Sequence, residues 1–184
     1  MKKVTLLGDS IRMMGYGVPV ADALKSRGIE VFQPEENCRF AKYTLRLLFE
    51  SAEQIKGSDV IHWNNGLWDV SDLFGDGRFT PADEYVRDML RIADNLLKIT
   101  PNVIFATTTP VRDGYPYQTC EDIERLNAEI VPLLRAKGIA INDLYSCVSA
   151  DRERFVRADD MIHLTDEGAQ MCAEKVLEMI TERL

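Results

Sequence analysis

Met1-Lys2-Lys3-Val4-Thr5-Leu6-Leu7-Gly8-Asp9-Ser10 opens the chain. Its apolar, β-branched run Val4–Leu7 passes straight into Gly, Asp and Ser, so it reads as a buried strand closed by a tight turn that leaves Ser10 just past the strand end. Working outward, runs of the same kind recur at Ile29–Phe32, Asp59–Trp63, Val103–Thr107 and Ile139–Ile141. Stretches of helical period separate them, near Val18–Arg27, Ala41–Ile55, Pro81–Ile99 and Cys120–Lys137, with a last one from Thr165 to the C-terminus. Short strands alternating with longer helices predict an α/β chain whose parallel sheet is covered on both faces. Val86, Met89, Leu90, Ala93, Leu96 and Leu97 make one core stripe, and Ala169, Cys172, Val176, Met179 and Ile180 another. Punctuation agrees: Thr80 caps and Pro81 opens a helix, Gly28 and Gly138 stop two others, and Thr165 caps an acidic first turn.

With 184 residues, 46% hydrophobic and 28% charged, the composition is that of one folded domain spanning 1–184, not of a disordered chain. The formal charge of −8 argues against nucleic acid and anionic membrane as partners. No apolar signal core precedes the first strand and no run is long enough for a bilayer, so the expected location is cytoplasmic. Cys38, Cys120, Cys147 and Cys172 form no Cys-x-x-Cys and read as buried thiols; with only two histidines a zinc site is not expected.

In an open α/β sheet, ligands bind beyond the carboxyl ends of the strands, where strand order reverses. The residues just past those ends are Gly8-Asp9-Ser10, Glu35 to Arg39, Asn64-Asn65-Gly66, Thr107 to Pro110, and, after the last strand, Asp160-Met161-Ile162-His163. A serine, several amides and an Asp/His pair thus share one edge. Acyl transfer by serine needs a base, a carboxylate to orient it, and donors for the oxyanion. The spacing of Asp160 and His163 presents both side chains in one direction, and among the serines only Ser10 directly follows a core strand. The predicted catalytic set is Ser10, Asp160 and His163.

These residues resemble the SGNH or GDSL hydrolases, a family of esterases and lipases defined by four blocks that supply Ser, Gly, Asn and His. Gly8-Asp9-Ser10-Ile11 is similar to the first block, with Ile11 for the usual Leu, and Asp160 to His163 matches the Asp-x-x-His of the last. His62-Trp63-Asn64-Asn65 fits the third, Gly-x-Asn-Asp, with Asn64 as the oxyanion amide, while a shifted frame makes Asn65 the donor. The second block lacks its glycine in Glu36-Asn37-Cys38-Arg39; its backbone N–H role is carried to Asn37. The resemblance implies a three-layer α/β/α sandwich, a flavodoxin-like five-stranded sheet of order 2-1-3-4-5, and an oxyanion hole of Ser10, Asn37 and Asn64. It also implies hydrolysis of a small ester, first among them a short acyl group on a carbohydrate, with a lipase, lysophospholipase or thioesterase of the same family as the alternative, and without metal or organic cofactor.

Around this centre Asp9, Arg12, Trp63 and Trp68 are candidate substrate contacts, and each has a plainer use. Asp9 can brace its own turn, Arg12 can pair with a carboxylate, and the tryptophans can pack. His62, at the end of a buried strand, reads as a hydrogen-bonded core histidine. Two rival functions fit the same edge: a non-catalytic binding module in which Gly8-Asp9-Ser10 is only a turn, and phosphoryl chemistry with Asp9, Asp160 and Asn64 around Mg²⁺.

Overall fold

The computed structural model describes all residues from Met1 to Leu184. The five apolar runs become β1 (Lys3–Leu7), β2 (Glu30–Phe32), β3 (Val60–Trp63), β4 (Val103–Ala106) and β5 (Ala140–Asn142). They pair in parallel throughout, in the order β2-β1-β3-β4-β5. The central strands are short, continuous apolar runs because both faces are covered. On one face lie α1 (Gly17–Lys25) and α9 (Asp166–Thr181), the latter packed against β3 and β5. The other carries α2 (Ala41–Glu50), α5 (Ala82–Leu97) and α6 (Cys120–Ala136). Short helices fill the connections: α3 (Ala52–Ile55), α4 (Leu67–Val70), α7 (Leu144–Ser149) and α8 (Arg152–Phe155).

A cluster of 40 buried apolar residues fills the space between the layers. Each fully buried Leu, Ile or Val contributes roughly 1.5–3 kcal/mol, whereas exposed ion pairs such as Lys42–Glu84 contribute at most about 1 kcal/mol. The apolar layers therefore hold the fold. Cys38 and Cys172 are buried, but Cys120 and Cys147 are only partly so, and all four are free thiols. No helix is long and apolar enough to cross a membrane.

Two local expectations shift, and one stretch without an expectation is settled. The helix expected over Ala41–Ile55 breaks at Ser51, which leaves helical geometry at φ −97°, ψ 14°. The cap of α5 is Pro81 instead of Thr80, whose N–H donates to Asp69 O at 3.0 Å and holds it outside the helix. The stretch Ser146–Arg157, which has no clear period, folds as α7 and α8, capped by Asp143 and Asp151 accepting from Ser146 N and Arg154 N. Gly28 and Gly138 do stop their helices, in the left-handed region at φ +75° and +82°.

Register decides where chemistry can occur. Leu7 pairs with Trp63, so Gly8 and Asn64 leave the sheet side by side. The chain moves outward from β1 to β2 and then returns to β3, which puts the reversal of strand order between these two residues.

Candidate active site

Ser10 stands where β1 gives way to helix. Asp9 Oδ1 accepts the Ile11 N–H at 2.9 Å, which tightens the turn, and Met13 N donates back to Asp9 O at 3.0 Å. Ser10 Oγ lies 2.9 Å from His163 Nε2, and His163 Nδ1 lies 3.0 Å from Asp160 Oδ2. Asp160 Oδ1 accepts the N–H groups of Ile162 and His163 at 3.1 and 2.9 Å, so one carboxylate fixes both the loop and the ring. The turn passes through Met161 at φ +65°, a left-handed conformation that folds Asp160 and His163 to the same side. The segment after α8 holds this loop: Arg157 N donates to His163 O at 2.8 Å, Met161 N to Arg157 O at 3.2 Å, and Val156 bridges Leu164. Burial raises the Asp160 carboxyl, but the N–H groups of His163 and Ile162 and the His163 ring outweigh it and bring its pKa below the usual range. Asp160 is therefore ionised at neutral pH.

Asn64 and Asn65 follow β3 together and have opposite uses. Asn65 is wholly buried: its Oδ1 accepts Trp63 Nε1 at 2.7 Å and lies 2.9 Å from the Thr44 hydroxyl, and its Nδ2 donates to Arg39 O at 2.8 Å. The Asn65 amide is thus wholly buried and fixed by three protein groups, which favours Asn64 over the shifted frame. Asn64 Oδ1 accepts the Tyr16 hydroxyl at 2.8 Å, and the amide's one other protein neighbour of this kind is the buried Asp9 carboxylate. In the loop after β2, Cys38 N donates to Gly8 O at 3.0 Å and Arg39 N to Asn37 Oδ1 at 2.7 Å, whereas Asn37 N has no protein acceptor. The Asn64 amide and the Asn37 N–H are thus the groups left over beside Ser10.

The close approach of β1 to β3 explains Gly8 without appeal to unusual backbone angles. A Cβ on Gly8 would stand 1.9 Å from Asn64 Oδ1 and 2.8 Å from Arg12 Cβ. Gly8→Ala is expected to displace Asn64, lowering turnover by about 100-fold and stability by roughly 1–3 kcal/mol from overpacking. Ester hydrolysis and a urea melt on the same sample check it; full activity would mean that Asn64 does not serve the oxyanion.

No family model matches the chain. A curated GDSL esterase/lipase of rice, Oryza sativa subsp. japonica, is 24% identical over 162 residues, covering 79% of this chain and 62% of that protein. The chain therefore spans about three fifths of the length of that relative. A lipase/acylhydrolase of Enterococcus faecalis superposes with a TM-score of 0.82 at 20% identity, covering 100% of this chain and 97% of that one. An acetyl xylan esterase of Geobacillus stearothermophilus superposes with a TM-score of 0.81 at 16% identity, covering 100% and 96%. The fold is that of the SGNH/GDSL hydrolases.

In this fold Ser10 and His163 line a cleft of about 370 Å³, whose walls include Met13, Met14, Leu67, Trp68, Tyr115 and Ile162. Trp68 is on the rim, 40% exposed. The other three candidate substrate contacts need correcting, because each is closed off from the cleft. Arg12 is buried and its guanidinium donates to Pro34 O at 3.1 Å and Glu36 O at 3.0 Å, tying down the loop after β2. Trp63 is buried against Phe105, ring centroids 4.9 Å apart, and bonded to Asn65. Asp9 is fully buried; burial pushes its carboxyl pKa up, against the neighbouring Asn64 amide, the Ile11 N–H and Arg12, and its Oδ2 makes no hydrogen bond of full geometry. His62 is a buried core residue, held neutral by a pKa that burial lowers to about 3, with Nε2 3.4 Å from Asn142 Nδ2. No group of three or more His, Cys, Asp or Glu side chains converges at a spacing that could hold a metal ion. A larger, polar cavity of about 740 Å³ lies on the other side of Tyr115, lined by residues such as Arg112, Glu124 and Arg152, and contains none of Ser10, Asp160 and His163.

Sequence reasoning missed Tyr16 and the cleft walls Met13, Met14 and Ile162. Their apolar character marks them only as core; nothing local tells which core-type residues face a cleft.

Proposed function

We propose that this chain is a serine hydrolase of carboxylic esters working through an acyl-enzyme. The observation that carries the reading is the unbroken chain of contacts Ser10–His163–Asp160 opening on an apolar cleft. Asp160 keeps the proton of neutral His163 on Nδ1, which leaves Nε2 to take the Ser10 proton as Oγ attacks the ester carbonyl. The tetrahedral oxyanion is met by the Ser10 and Asn37 backbone N–H groups and by Asn64 Nδ2. Collapse breaks the bond to the alcohol, which leaves with the proton from His163. Water, deprotonated by His163, then attacks the acyl-Ser10; the acyl–Oγ bond breaks, His163 returns the proton to Ser10 Oγ, and the carboxylic acid leaves.

The rim Trp68 is a contact for the substrate, a small-molecule ester. The cleft walls favour a second, finer reading over acetyl on a sugar: an acyl chain of several carbons. Each methylene that leaves water for such walls is worth ~0.8 kcal/mol, or about fourfold. Along a p-nitrophenyl series from acetate to hexanoate, kcat/KM is expected to climb by a few-fold per carbon; a maximum at acetate would restore the acetyl-carbohydrate reading.

Labelling by a fluorophosphonate tests the class itself. Stoichiometric modification at Ser10, unaffected by EDTA, supports the serine hydrolase; no modification leaves the non-catalytic module, and ester turnover lost to chelator points to metal chemistry.

A further inference from the structure

An oxyanion donor made from an asparagine side chain has an intrinsic weakness. The amide has two orientations of nearly equal shape, and only one presents N–H to the reacting oxygen; the other presents a carbonyl, which repels it. Some neighbour must decide between them.

We propose that Tyr16 is the positioning residue that makes this decision, holding Asn64 with Nδ2 toward the substrate. The inference rests on the ester-hydrolase reading of the site. Tyr16 is wholly buried, and its hydroxyl has one partner, Asn64 Oδ1, at 2.8 Å. Burial drives the phenol pKa well above its ordinary value, so the hydroxyl stays protonated and able to donate. Were the amide turned over, Nδ2 would face the tyrosine oxygen and the tyrosine proton would be left in the core without an acceptor. An unmet buried donor is costly, so the bond selects one orientation. The rest of the tyrosine is fixed as well: its ring meets that of His62 edge to face, centroids 5.5 Å apart.

The backbone explains how Tyr16 reaches that position. Between Ser10 and α1 the helix widens into a π-type turn over Arg12–Tyr16, with Gly15 out of helical geometry at φ −115°, ψ −109°. Such interruptions re-aim a side chain that a regular helix would place elsewhere. The nucleophile and the residue that orients its oxyanion donor thus stand on one stretch of chain, Ser10 ahead of the turn and Tyr16 at its end.

Tyr16→Phe removes the hydroxyl and keeps the ring. With p-nitrophenyl butyrate, and with kcat expressed per Ser10 titrated by fluorophosphonate so that loss of folded protein does not enter, kcat is expected to fall about 5- to 20-fold, in line with one buried hydrogen bond. KM is expected to stay within twofold. The decisive readout is the double variant with Asn64→Ala, in which Tyr16→Phe should cost nothing further, since its effect passes through an amide that is gone. An unchanged kcat in Tyr16→Phe, or losses that multiply in the double variant, would overturn the proposal. If Ser10→Ala hydrolyses as fast as wild type, it is the hydrolase reading that fails.

Discussion

Ser10→Ala is expected to lower kcat for p-nitrophenyl esters by about 10⁴-fold or more, to abolish fluorophosphonate labelling, and to leave the fold intact. The size follows from the role: when an attacking group is removed from a working triad, only binding and the oxyanion donors remain, and losses of order 10⁴ to 10⁶ result. The stability change is small because Ser10 is only partly buried and gives up one hydrogen bond, to His163, worth about 1 kcal/mol. EDTA is expected to have no effect on the wild type. A variant as active as wild type would make Ser10 a turn residue and favour the binding module. Activity that survives Ser10→Ala and vanishes with chelator would favour phosphoryl-type metal chemistry.

Asn64→Ala and Asn65→Ala form the second large effect, and the contrast between neighbours is the test. Asn64→Ala removes the Nδ2 donor together with the Oδ1 that accepts the Tyr16 hydroxyl, and kcat is expected to drop roughly 10²–10³-fold with KM little changed, while the stranded Tyr16 hydroxyl lowers stability by about 1–3 kcal/mol. Asn65→Ala strands the Trp63 indole N–H and the Arg39 carbonyl and removes an acceptor from Thr44. With two or more buried groups left unmet, a loss of about 2–4 kcal/mol is expected in a urea melt, while kcat of the folded fraction stays within a few-fold. Reversed phenotypes would assign the oxyanion to Asn65 and leave Asn64 as scaffold.

Much of this site was legible in advance because its components are local. A strand that runs into Gly8-Asp9-Ser10 says where its end is, and the spacing of Asp160 and His163 needs only one loop to bring the pair together, as the two N–H bonds to Asp160 Oδ1 do. Arg12 and Trp63 show the opposite. Both lie beside the nucleophile or an oxyanion amide in sequence, yet the loop after β2 consumes the first and the interior of the sheet the second. Proximity along the chain says which residues are near the strand ends. It does not say which way a side chain leaves them.

By itself, then, the sequence determined the alternation of strands and helices, the Thr165 cap and the glycine stops at Gly28 and Gly138, and the Ser10 turn, because turn chemistry and hydrophobic period act over a few residues. Only the tertiary structure decided which amide is free, which tyrosine orients it, and that His163 reaches Ser10. Those outcomes hang on partners 48 residues apart for Tyr16 and Asn64 and 153 apart for Ser10 and His163. Two adjacent asparagines are chemically identical until the fold surrounds one with three hydrogen-bonding groups and leaves the other the Tyr16 hydroxyl and the neighbouring Asp9 carboxylate. That difference is made by packing, and no window of sequence contains it.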